Sequence, residues 1–138
     1  MGIFAELDSP LIDDARRFVM HELPEKLKDP AFLKDVELIA LGDPNVHKEL
    51  VLLRFFERVG AYVDEGLIDG EIIYKAAIGR LMSAWINLEG VVLIHREIAG
   101  GFVWKNFERL YDNSVRWVRA QGADPDQLRA RMVSRGLH

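Results

Sequence analysis

The chain of 138 residues contains no cysteine. That absence removes disulfides, thiolate metal sites and cysteine nucleophiles together, and it suits a reducing compartment. Serine is nearly as scarce, at Ser9, Ser83, Ser114 and Ser134, and no Gly-x-Ser-x-Gly elbow surrounds any of them. Glycine-rich phosphate loops of the Gly-x-Gly-x-x-Gly and Gly-x-x-x-x-Gly-Lys-Ser/Thr kinds are missing too. Uninterrupted apolar runs such as Val91 to Ile94 fall far short of the ~20 residues that span a bilayer. Met1 to Leu7 has neither the basic stretch nor the apolar core of a secretory signal. Glu6 stands where myristoylation needs Ser or Thr. The expectation is a soluble, cytoplasmic protein with no membrane insertion.

Hydrophobic residues make up 49% of the chain, enough for one globular domain with a sizeable core. The formal charge is −4, which argues mildly against nucleic acid as a partner. Its distribution is uneven. Residues 1–70 hold 15 acidic and 8 basic side chains, a formal −7, whereas residues 71–138 hold 7 acidic and 10 basic, a formal +3. The late arginines Arg109, Arg116, Arg119, Arg129, Arg131 and Arg135 read first as a solvated face that complements the acidic half. The sharper alternative is a basic stripe for a phosphate backbone or an acidic partner.

Helix signals dominate. Ser9-Pro10, Asp29-Pro30, Asp43-Pro44 and Asp124-Pro125 each place a capping side chain before the ring that suits a first helical position. Pro24 and Gly42 are read as stops for the first two helices, and Gly122 as the stop before the last. The central stretch Phe55 to Tyr74 predicts a helical hairpin. In it Gly66 closes one helix in the left-handed conformation, Leu67 folds back over the last turn, and Asp69 caps the next. Tyr74, Ile78, Leu81, Trp85, Leu88 and Val92 then step by four and three, the period of a helix buried in a bundle, with Gly90 as its expected bend. A further helix from Phe102 to Ala120 sets Trp104, Phe107 and Tyr111 against Arg109, Asp112 and Arg116. The predicted fold is all-α and a single domain. Three long antiparallel helices over 44–120 form the bundle, two N-terminal helices lie at about 10–41, and one short C-terminal helix lies at about 125–135.

Extending the Trp85 stripe past Val92 brings Arg96 onto a buried face. A guanidinium there needs a partner. Glu108 is the first carboxylate expected to meet it and Glu57 the second. Two uses compete: a structural ion pair, or an anion pocket lined by Arg96 and His95 with Tyr74, Trp85 and Trp104 as aromatic lining. His21, His47, His95 and His138 form no His-Glu-x-x-His motif and no Glu-x-x-His pair, so no metal or cofactor is expected. Trp117 is the aromatic expected nearest the surface.

Residues 50–120 resemble a bacterial family catalogued as a domain of unknown function. The resemblance rests on Phe55-Phe56-Glu57, Gly66-Leu67-Ile68-Asp69, Tyr74, Trp85, Arg96 and Phe107-Glu108-Arg109-Leu110. Gly90 departs from it, standing near a position where the family carries proline. Other members look membrane-tethered through a segment ahead of the domain, for which this sequence has no counterpart. The resemblance implies a compact helical domain and no known reaction. The functional expectation is a non-enzymatic interaction or scaffold domain that binds a protein partner or forms a homodimer through a helical face. A small-molecule or anion sensor built around Arg96 is the first alternative, and weak nucleic-acid binding by the C-terminal arginines the second.

Overall fold

A computed structural model describes residues 2–38 and 43–133. Every regular element among them is a helix: α1 (Ile3–Leu7), α2 (Pro10–His21), α3 (Leu23–Lys26), α4 (Pro30–Val36), α5 (Lys48–Asp64), α6 (Gly70–Ala99), α7 (Lys105–Ala120) and α8 (Pro125–Met132). These eight helices overturn the expected bundle of three with three attendants. Leu7 anchors the unforeseen α1 in the core. α2 ends at His21, ahead of Pro24 as expected, and Pro24 then falls in the first turn of the unforeseen α3, where its missing N–H costs nothing. α4 ends at Val36, short of the expected stop at Gly42, and α8 ends at Met132, short of 135; Gly42 and residue 135 themselves lie outside the described residues.

Three of the four Ser/Asp-Pro signals open helices, with Ser9, Asp29 and Asp124 accepting backbone N–H bonds from Ile12, Ala31 and Asp126. The fourth makes a turn instead. Asp43 accepts from the Asn45 N–H through its carboxylate, and its carbonyl takes the Val46 and His47 N–H groups, so α5 starts only at Lys48. At the other end of α5, Gly66 is left-handed (φ 75°), and Gly66 and Leu67 donate back to Val63 and Tyr62. Leu67 itself does not fold over the helix end; it is 72% exposed, and Ile68 packs on the core in its place.

The packing order explains why a three-helix picture fails. α5 packs most extensively on α7, next on α2, and only lightly on α6. A helix with two such neighbours needs two apolar faces, which is why Leu50 and Leu53 are as buried as Leu52 and Phe56. Gly60 marks the α5–α7 crossing: a Cβ there would lie 2.3 Å from the Asn106 carbonyl oxygen. Glu57 of α5 meets Asn106 and Phe107, and Asp64, two turns on, approaches Arg109. α5 and α7 therefore run in the same direction. α6 runs against them, with Tyr74 beside Trp117, Trp85 beside Tyr111 and Phe107, and Arg96 beside Glu108.

α6 has 30 residues and an 18-residue stretch of mean hydropathy 1.4, long and apolar enough by those measures to cross a membrane. Half of that stretch is buried in the protein. Packing accounts for its composition, since Leu81, Trp85, Leu88 and Val92 face the main core and Met82 and Ile86 a second cluster with Val118. Its bend falls at Ala77 (φ −146°, ψ 26°), not at the expected Gly90.

Candidate functional site

The corner between α6 and α7 gathers most of the residues singled out in the sequence. Gly100, at φ 115°, ends α6. Four residues later Trp104 takes φ 62° and ψ 26°, the one left-handed non-glycine residue among those described. For an L-residue that conformation costs about 1–2 kcal/mol, so something must hold it. α7 consequently begins at Lys105 rather than at Phe102, and no side chain of its own caps it.

Three side chains from two helices fix the corner. His95 of α6 is fully buried, and its Nδ1 accepts the Trp104 Nε1–H at 2.9 Å. Arg96 donates from Nε to the Val103 carbonyl at 2.8 Å and offers both terminal nitrogens to the Glu108 carboxylate at 3.2 and 3.4 Å. Its guanidinium carbon also lies 6.0 Å from the centre of the Trp85 ring, within cation–π range. From α5, Glu57 accepts the Phe107 N–H at 2.9 Å and the Asn106 side-chain N–H at 3.0 Å. A carboxylate on the Phe107 N–H, in the first turn of α7, stands in for the missing cap and complements the helix dipole. Beneath them Phe107, fully buried, stacks on Phe56 and meets Trp85 edge-on, each at 5.1 Å.

Arg96 thus meets Glu108, and Glu57 serves α7 instead. The Lys105 ammonium, bonded to Glu108 at 2.9 Å, is the main cause that holds the Glu108 carboxyl below the usual carboxylate range. Burial opposes that shift, and Arg96 adds to it. With each of its three nitrogens engaged, Arg96 has little left to offer a free anion.

The aromatic lining does not assemble. Trp104 faces His95 at the corner, Trp85 sits mid-core against Tyr111 at 5.8 Å, and Tyr74 lies near the opposite end of α6, 6.2 Å from Trp117. Trp117 packs against the core rather than standing on the surface. Burial, reinforced by Asp69, pushes the Tyr74 phenol up. Two surface clefts of about 230 Å³ each, one between α5 and α7 beside Arg109 and Asp112, the other beside Glu6 and Arg54, include none of the expected site residues.

Two of the late arginines meet carboxylates, and a third bonds a neutral amide. Arg129 bonds Glu89 at 2.9 Å, Arg109 lies 3.9 Å from Asp64, and Arg116 bonds Asn113. Arg135 lies outside the described residues.

One buried polar pair escaped the sequence reading. His47 and Glu49 are 2% and 1% exposed, joined Nδ1 to Oε2 at 2.8 Å. His47 stacks on Phe32 of α4 at 4.4 Å, and its Nε2 stands 3.7 Å from the Asp35 carboxylate. His47 Nε2 and Glu49 Oε1 have no hydrogen-bond partner. A signal existed: Glu49, Leu53, Phe56 and Gly60 share one helical face, so a carboxylate stood on an apolar stripe. Among the described residues no group of three or more His, Cys, Asp or Glu side chains is placed to hold a metal ion.

No family model, curated protein or solved structure matches this chain. Its described residues form an all-helical domain, and its sequence carries none of the catalytic motifs considered above.

Proposed function

We propose that this is a non-enzymatic interaction domain that self-associates through the α6–α7 corner. The observation that carries the reading is Phe102, 75% exposed at the apex of a turn tied down by His95, Arg96 and Glu57. Ile98, Ala99 and Gly101 are exposed beside it in sequence. A scattered surface leucine such as Leu67 is ordinary. A phenylalanine held outward by a strained, braced turn is not, because backbone strain persists only where the surroundings over-determine it. A rigid apolar apex loses little entropy when it docks, which suits a binding anchor.

Sedimentation velocity over a range of concentrations tests this. The chain should associate, and Phe102→Ser should weaken the association by about 30-fold, the loss of one aromatic anchor worth roughly 2 kcal/mol. Only monomer at high concentration, or association untouched by the substitution, would overturn the self-association reading. The pairing of Arg96 with Glu108 and Val103 gives the anion-sensor alternative no support.

A further inference from the structure

We propose that His95 is an acid-sensitive latch, whose protonation releases Trp104 and lets the α6–α7 corner rearrange while α4 stays attached. The imidazole performs two opposite tasks. Nδ1 accepts from the Trp104 indole N–H at 2.9 Å, and Nε2 lies 3.0 Å from the Val36 carbonyl at the end of α4. A carbonyl can only accept and an indole N–H can only donate. The ring is therefore neutral with its proton on Nε2, the one form that satisfies both neighbours. The imidazolium has two donors. It keeps the bond to Val36 and sets an N–H against the N–H of Trp104.

That change strikes a residue already in a costly conformation. The left-handed Trp104 is the last residue before α7, and its indole bond is one of the contacts that offsets its backbone strain. The charges nearby do not favour a cation. Arg96 follows His95 on α6 and is itself tied to Glu108 of α7 and to the Val103 carbonyl. Asp35, beside Val36 on α4, turns to His47 instead. Among the described residues no carboxylate forms an ion pair with His95. The polar groups that face it are the Val36 carbonyl, which accepts from it, and the Trp104 N–H.

Burial pushes the His95 imidazole below its ordinary value of 6.5, and the bond to Val36 pulls it partly back. A folded value lowered in this way contributes stability that is present above 6.5 and lost as the pH falls from 6.5 towards the folded value. The corner can escape that loss locally by giving up Trp104.

Nitrogen-15 NMR of the full chain across the imidazole range, about pH 5 to 8 and somewhat below, is the direct test. The Trp104 indole N–H should move upfield as its acceptor is lost, in one step with the Phe102 and Val103 amides. His95→Gln should abolish the step, because a glutamine oxygen can accept from Trp104 and its amide can donate to Val36 without titrating. If that variant fails to fold, Trp104→Phe, which has no bond to break, should abolish the amide step instead. A silent Trp104 resonance in a chain that stays folded, or the same step surviving in His95→Gln, overturns the latch. If acid unfolds the whole chain first, an unfolding midpoint shifted to lower pH in His95→Gln supports it and an unchanged midpoint overturns it.

That the latch governs binding rests on the interaction reading above. A corner that titrates while self-association stays constant with pH would leave the latch standing and count against that reading.

Discussion

Glu49 is the residue whose placement conflicts most with its chemistry. It occupies a core position between His47 and Leu50 with one oxygen bonded to His47 and the other unpartnered. Burial pushes its carboxyl up from the ordinary 4.5, and the His47 bond only partly restores it. The sign follows: stability from the neutral acid is full below 4.5 and lost as the pH rises through the raised folded value. Glu49→Gln keeps the shape and a hydrogen-bonding end and removes the charge. The variant should lose that pH dependence and be more stable than the natural chain at about pH 8, with the advantage shrinking towards about pH 5. Urea midpoints at the two pH values check it; a variant no more stable at the higher pH would contradict the account. The sequence announced the cation Arg96 through its helical stripe. The Glu49 carboxylate was equally legible by spacing, yet the Phe32 ring and Asp35 carboxylate that enclose its partner His47 come from α4, and no spacing rule connects that helix to α5.

At the scale of the element, the glycines inside the helices separate into two kinds. Gly60 is retained against helix propensity because α7 passes over it, so a methyl group would enter the space of the Asn106 carbonyl. Gly60→Ala should therefore destabilise the chain by about 1–3 kcal/mol despite the gain in propensity. Gly90 has nothing within 4 Å of where its Cβ would stand. Gly90→Ala should stabilise by about 0.5–1 kcal/mol. Thermal or urea unfolding of the pair decides the matter, and a stabilised Gly60→Ala would mean that the helices do not cross there. The starts of α2, α4, α6 and α8 were legible, since a capping side chain acts within three residues. Asp43-Pro44 shows the limit. The same dipeptide served a turn, and the choice rested on His47 and Glu49 being drawn into the core four to six residues later.

Across the whole molecule, one apolar cluster includes residues from each of α1 to α7, and a second joins α6 and α7 to α8. Ion pairs tie the acidic first half to the basic second, as between Asp8 and Arg80 and between Asp64 and Arg109. A chain held this way should unfold as one unit. Far-ultraviolet circular dichroism and tryptophan fluorescence should give coincident single transitions, because Trp85, Trp104 and Trp117 report from the core, the corner and the far end of α7. Two separated transitions would divide the chain and end the single-domain expectation.

Sequence alone determined that the described chain is helical, where the long helices α5 and α6 end, and that Arg96 needed a counter-charge. Those are local matters, set by periodicity, by caps within a turn, and by the cost of burying a lone charge. The tertiary structure decided which helices touch, that Glu57 caps a helix some fifty residues away, and that a histidine with no motif around it holds a tryptophan in a left-handed bend. Such pairings arise between side chains far apart along the chain, and only the packed core sets the distance between them.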